Sequence, residues 1–195
     1  MTTAVVRPLV FTDRLEERRS ALVAHGLRPR QEAEAGGWLD LAGAGGLVAL
    51  HSAAGADEPV AEGETWLSFE VTDADTVAQA LRRAGLDAIV ADEAYGREVH
   101  VPTPDCATLR LGEVKHDDYG FRAHAVEAVD GPAAGVVVAE VATRDPGGWG
   151  TLIGALGLSV DADGVSYGGR RTGVVRLVAG TPATDRVTAT LRVLP

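Results

Sequence analysis

The chain has 195 residues, 18 of them basic and 28 acidic, for a formal charge of −10. So acidic a chain, with no basic block, is repelled by phosphate backbones and anionic lipid, which argues against nucleic-acid and membrane partners. Its 46% hydrophobic and 24% charged residues describe a globular protein able to bury a core, and Cys106 is the only cysteine, so no intrachain disulfide can form. With no apolar run long enough for a membrane span and no leader-like N-terminus, a cytoplasmic location is expected.

Residues 4–11 are β-branched and apolar and predict a first strand, in which Pro8 marks an edge or bulge. Thr12 or Asp13 offers an N-cap for a helix with Glu16 and Glu17 in its first turn, and Gly26 ends it. Segments 38–41 and 47–51 read as strands joined by the glycine-rich 42–46 hairpin link, and 53–64 as a loop. The pattern then restarts: a strand at 66–71, a helix at 73–84 with Val77 and Leu81 inward, and strands at 88–91, 98–101 and 108–112. After a charged, Gly- and Pro-containing stretch comes a third round, with a strand at 136–143 and a short helix at 149–156. Strands at 165–168, 174–179 and 187–193 complete it.

One phrase recurs through these rounds. Val10-Phe11-Thr12-Asp13 runs to Gly26-Leu27, Val71-Thr72-Asp73 to Gly85-Leu86, and Val141 to Asp145 leads to Gly157-Leu158. Leu22, Leu81 and Ile153 each sit four positions before the glycine. A duplicated supersecondary unit follows from such spacing. The fold class is α+β: repeated β-α-β-β-β units forming a curved mixed sheet with helices outside and a cleft inside. Residues 1–115 make the paired units with the cleft, 116–134 a linker, and 135–195 a third unit. An unpaired third unit predicts a homodimer, in which it packs on its counterpart; the alternative is that it closes on the first two units within one chain.

The three phrases, with Tyr95-Gly96-Arg97-Glu98-Val99-His100-Val101 and the following Pro104-Asp105-Cys106-Ala107, resemble the vicinal oxygen chelate superfamily of glyoxalase I, bleomycin-resistance proteins and extradiol dioxygenases. The resemblance covers residues 4–114 well and 136–195 more loosely. It implies metal ligands seven residues before the aspartate that ends each paired strand, and a Glu five residues after the aspartate of the Pro-Asp turn. Those positions hold Val6, Trp66 and Arg110, none of which donates a lone pair to a divalent cation. The expectation is therefore a metal-free protein without a cofactor, binding a small organic molecule, with antibiotic sequestration as one form of that role.

Strand alternation places Val6, Pro8 and Val10 on one face, Trp66, Ser68 and Glu70 on another, and Thr108 with Arg110 on a third. If these faces line the cleft, Trp66 supplies a stacking surface and Arg110 a planar cation, unless Glu70 and Arg110 simply pair. The candidate ligand-binding residues are Trp38, Trp66, Glu70, Tyr95, Arg97 and Arg110. The alternative is a metal-dependent lyase, isomerase or dioxygenase of the glyoxalase type with non-standard ligands among Glu70, Glu140, His51 and His100. That reading requires at least three of these side chains to converge on one point.

Overall fold

Each repeated phrase builds the same local object in the computed structural model, which describes residues 4–93, 96–114, 120–124, 135–182 and 186–195. The first unit is β1 (Val5–Val6), β2 (Leu9–Phe11), α1 (Leu15–Ala24), β3 (Arg28–Ala33), β4 (Trp38–Ala42) and β5 (Leu47–His51). The second is β6 (Thr65–Trp66), β7 (Ser68–Val71), α2 (Ala74–Arg83), β8 (Ile89–Glu93), β9 (Gly96–Pro102) and β10 (Thr108–Glu113). After β11 (Phe121–Ala123) comes the third: β12 (Val136–Thr143), α3 (Pro146–Ala155), β13 (Ser166–Gly169), β14 (Gly173–Ala179) and β15 (Thr190–Leu194).

The Gly-Leu end of each phrase is a helix stop. Leu27, Leu86 and Leu158 donate their backbone N–H to the carbonyls of Leu22, Leu81 and Ile153, while Gly26, Gly85 and Gly157 adopt φ of 90°, 82° and 84°. This is the Schellman closure, which explains why an apolar residue stands four positions before every glycine: it packs against the leucine that follows. The starts are less uniform. Asp73 and Asp145 accept hydrogen bonds from the N–H groups of Thr76 and Gly148, but the N-cap of α1 is Arg14, with no side-chain cap. Neither Thr12 nor Asp13 takes the expected N-cap position, because the Asp13 carboxylate is turned onto Ser52 and the N–H of Ala54.

The first two units exchange strand halves. Pro8 interrupts the first strand, as its missing N–H requires: β1 pairs with β7 in one sheet, whereas β2 joins β5 and β6 in the next. The sheets run β1-β7-β10-β9-β8 and β11-β3-β4-β5-β2-β6, and residues of both line one cavity. Two strands were invisible to pattern reading. The run Arg-Pro-Arg-Gln-Glu-Ala of β3 has no apolar alternation, and β11 falls in the stretch expected to be a linker; both exist because β4 supplies a ladder to β3, and β3 to β11.

The third unit, with sheet order β13-β14-β12-β15, lies against the other two within the chain. Val77, Ala78 and Leu81 of α2 share one apolar core with Ala139, Val141, Trp149, Leu152 and Ile153. The 42–46 link is a joint as well as a hairpin turn: Ala44 N–H bonds Gly135 O, and Val137 N–H bonds Gly45 O. At Gly46, with φ of 85°, an added Cβ would lie 2.8 Å from Val137 Cβ and 3.1 Å from Gly173 Cα. Gly46→Ala is accordingly expected to cost about 2–4 kcal/mol in chemical denaturation, from left-handed strain plus overpacking. At Gly55, where the nearest contact is an ordinary 3.5 Å, the same substitution should be close to neutral.

Candidate functional site

A cavity of about 470 Å³ opens between the strands of the first two units, with a rim from residues 56–58 and from Arg186 and Val187 of the third. On the second-unit strand its wall is Trp66, Ser68 and Glu70, with Leu67 at its edge, while Phe69 is buried in the core. On the first-unit strand the wall is Arg7, Leu9 and Phe11; Val6 and Val10 are buried in the cores on the far side. The face expected to carry Val6 is thus the wrong one.

Helix starts explain the slip. Arg14 is the N-cap of α1, as Asp73 is of α2, and Arg14 precedes Gly26 by the twelve positions that separate Asp73 from Gly85. Seven residues before Arg14 is Arg7. Leu9 pairs with Ala49 as Ser68 pairs with Arg110, so Ala49 is the first-unit counterpart of Arg110. Arg7, Ala49, Trp66 and Arg110 all line the cavity, and two guanidiniums, an indole and a methyl do not fit a divalent cation. Among the described residues no cluster of three or more His, Cys, Asp or Glu side chains is placed to hold a metal. Glu70 and His51 line the cavity, but Glu140 is held by Arg176 and Arg192 on the third sheet, and His100 pairs with Glu98. The four alternative ligands therefore do not converge.

The cavity floor is a charge network. Arg7 lies 3.6 Å from both Asp40 and Glu70, and Arg30 donates to Glu70 at 2.7 Å. Asp40 and Glu70 are only 2% and 9% exposed, so these carboxylates require cations beside them. Burial disfavours the Arg30 cation, yet its hydrogen bond to Glu70 and the nearby carboxylates win and hold its pKa above the ordinary value. Gly112 makes room for Arg7: a Cβ there would meet Arg7 Nη2 at 2.7 Å. The direct Glu70–Arg110 pair weighed from sequence does not form, since Arg110 turns to Glu58 on the rim.

An aromatic wall stands beside this network. Phe11 meets Trp66 edge-on at 4.5 Å between ring centroids, and Trp38 meets His51 edge-on at 5.5 Å. His51 Nδ1 lies 2.7 Å from the carbonyl of Ser52, which assigns the proton to that nitrogen. Arg186 lies 4.8 Å over the Trp66 ring, whose Nε1 donates to Glu64. Of the residues singled out from sequence, Trp38, Trp66, Glu70, Arg97 and Arg110 line the cavity, and Tyr95 lies outside the described residues. Arg97 is tied to Asp75, Asp92 and Glu113. Pattern reading missed Asp40, Glu58 and Arg186; the signal that marks Arg7 is Arg14, because it stands at the common helix-start spacing.

The loop between β5 and β6 is pinned at both ends. Asp13 accepts from Ser52 and Ala54, and Glu62 accepts from the Thr12 hydroxyl at 2.6 Å and the Asp13 N–H at 2.8 Å. These bonds hold both carboxyls below their ordinary pKa, Asp13 through Ala54 N–H and then Ser52, Glu62 through Thr12 and then Asp13 N–H. Depressed carboxyls stabilise the fold above their unfolded pKa and lose that contribution as pH falls through the folded one. The melting temperature is therefore expected to fall as the pH drops below about 5, and less steeply in an Asp13→Asn, Glu62→Gln variant.

Solved structures share this fold. The Mn(II)-bound glyoxalase from Novosphingobium aromaticivorans superposes with a TM-score of 0.51 over 94% of this chain at 15% identity. Homoprotocatechuate 2,3-dioxygenase from Arthrobacter globiformis gives 0.53 over 92% at 16%, and a mutant 4-hydroxymandelate synthase from Streptomyces coelicolor 0.57 over 96% at 14%. The chain has the vicinal oxygen chelate fold. It spans 64%, 60% and 65% of the lengths of those three proteins. No family model matches the sequence, and no curated protein does. The described residues of this chain form three β-α units, with the cavity between the first two and the third contributing to its rim. Among the described residues no helix is long and apolar enough to cross a membrane.

Proposed function

We propose that this protein binds a small organic molecule in the cleft between its first two units without using a metal, antibiotic sequestration being one form of such a role. The observation that carries the reading is what stands at the equivalent cavity-wall positions of the two units: Arg7 and Ala49 in the first, Trp66 and Arg110 in the second. What these groups can do is stack, pair with charge and exclude water. A cavity of about 470 Å³ with an aromatic wall is of the size and character that suit a drug-sized molecule. The homodimer belongs to the same proposal: Val178 and Leu194 are exposed on one face of the third sheet, where a second copy could cover them, and light scattering tests it.

Elemental analysis of purified protein, together with calorimetric titration of a panel of flat apolar drugs in the presence and absence of a chelator, tests the main reading. Binding unaffected by the chelator and no stoichiometric Zn, Mn, Fe or Ni are expected. Metal at one equivalent per chain would overturn it.

A further inference from the structure

The rim of the cavity holds an arrangement that the cleft-binding role does not by itself require. Arg110 on β10 of the second unit and Arg186 in the third unit converge on one carboxylate, that of Glu58, at 3.2 and 3.0 Å. Arg186 also donates to the carbonyl of Pro59 at 2.9 Å, so the two arginines hold the tip of the loop between β5 and β6 over the opening. Three segments far apart in the chain therefore meet to bind a single anionic group, with Trp66 beneath Arg186 and Phe11 edge-on to Trp66. A pair of guanidiniums is a strong recognition element for a carboxylate.

We propose that the Arg110–Arg186 pair is an anion-binding site occupied in this structure by Glu58, and that the molecule taken up in the cleft carries a carboxylate or comparable anion on a flat apolar body and displaces Glu58. This rests on the reading of the cleft as a binding site and adds the chemical class of what it takes. Local geometry supports it. On the floor, Arg7 lies beside Asp40 and Glu70 and Arg30 beside Glu70. At the rim Arg110 and Arg186 each direct an N–H group at the same Glu58 carboxylate, one to each oxygen. Glu58 is 44% exposed on its side chain, and water can receive it without a burial cost. The loop ends, pinned through Asp13 and Glu62, need not move when the tip does.

Calorimetric titration with 2-naphthoate and its neutral isostere 2-naphthamide decides the matter, using the full chain and a Glu58→Gln variant. Glu58→Gln is expected to tighten 2-naphthoate about fivefold by removing the internal competitor, with little change for 2-naphthamide. Adding Arg110→Gln should abolish that gain, and equal melting temperatures would show that the variants are folded. Equal shifts for the two probes, or an unchanged naphthoate affinity, would overturn the inference while leaving the cleft-binding reading in place. If neither probe bound the parent chain or the variant, both would fall.

Discussion

Trp149→Ala is expected to lower the stability of the chain by about 3–5 kcal/mol, a large share of the roughly 5–15 kcal/mol that holds a typical domain together. Trp149 is 1% exposed and belongs to the core shared by α2, α3 and the sheets on either side. Its Nε1 also donates to Asp105 Oδ2 at 2.8 Å, while Asp105 Oδ1 accepts from the N–H of Arg144 at 3.2 Å. The turn of the second unit is thereby fastened to the helix start of the third. Burial opposes ionisation of Asp105, but these bonds and one with Thr143 keep its carboxyl below the ordinary range. Trp149→Phe, which keeps the ring but loses the bond, should cost only about 1–2 kcal/mol. Urea denaturation followed by circular dichroism measures both. Because the core crosses the units, the alanine variant should still unfold in one transition; two separate transitions would contradict a shared core.

Arg7→Leu is the second large effect, expected at about 3 kcal/mol. The substitution keeps apolar bulk but withdraws a cation from beside Asp40 and Glu70, both nearly inaccessible to water. Arg30 remains on Glu70 and limits the loss. Arg7→Lys, which restores the charge without the planar fork, should be less damaging than Arg7→Leu, and that ordering separates a charge effect from a packing effect. If denaturant midpoints of the leucine and lysine variants were equal, the floor of the cavity would not depend on the Arg7 charge.

The legible parts of this fold are those whose cause is local. Each helix ends where glycine takes a positive φ and the next leucine folds back, and that closure involves six consecutive residues, so it is written as a phrase three times over. Helix α2 could be read the same way, with Ala74, Val77, Ala78 and Leu81 on one buried face. Trp66, Glu70 and Arg110 could be placed toward a cleft by alternation and spacing. The first strand could not, because a side chain's face flips with a shift of one residue and Asp13, though it looks like the cap, is spent on the 52–54 turn. Arg7 then takes the wall and Val6 the core.

Other features depend on partners distant in the chain. The polar β3 is a strand because β4 lies next to it, and Cys106 keeps a strained φ of 67° within a turn whose Asp105 is held by Trp149. The glycines at 45 and 46 read as a hairpin turn, and also leave room for the third unit's backbone to come close. Glu58 reads as one acid in a loop; only three converging segments make it the partner of Arg110 and Arg186. The sequence by itself therefore determined the repeated α+β units, where their helices end and most of one cavity wall, since hydrogen bonds and alternation within a few residues decide these. Tertiary structure decided which strand face meets the cavity, how the third unit docks and which charges face each other across the opening. Those outcomes turn on contacts between residues far apart in sequence, whose geometry no local pattern encodes.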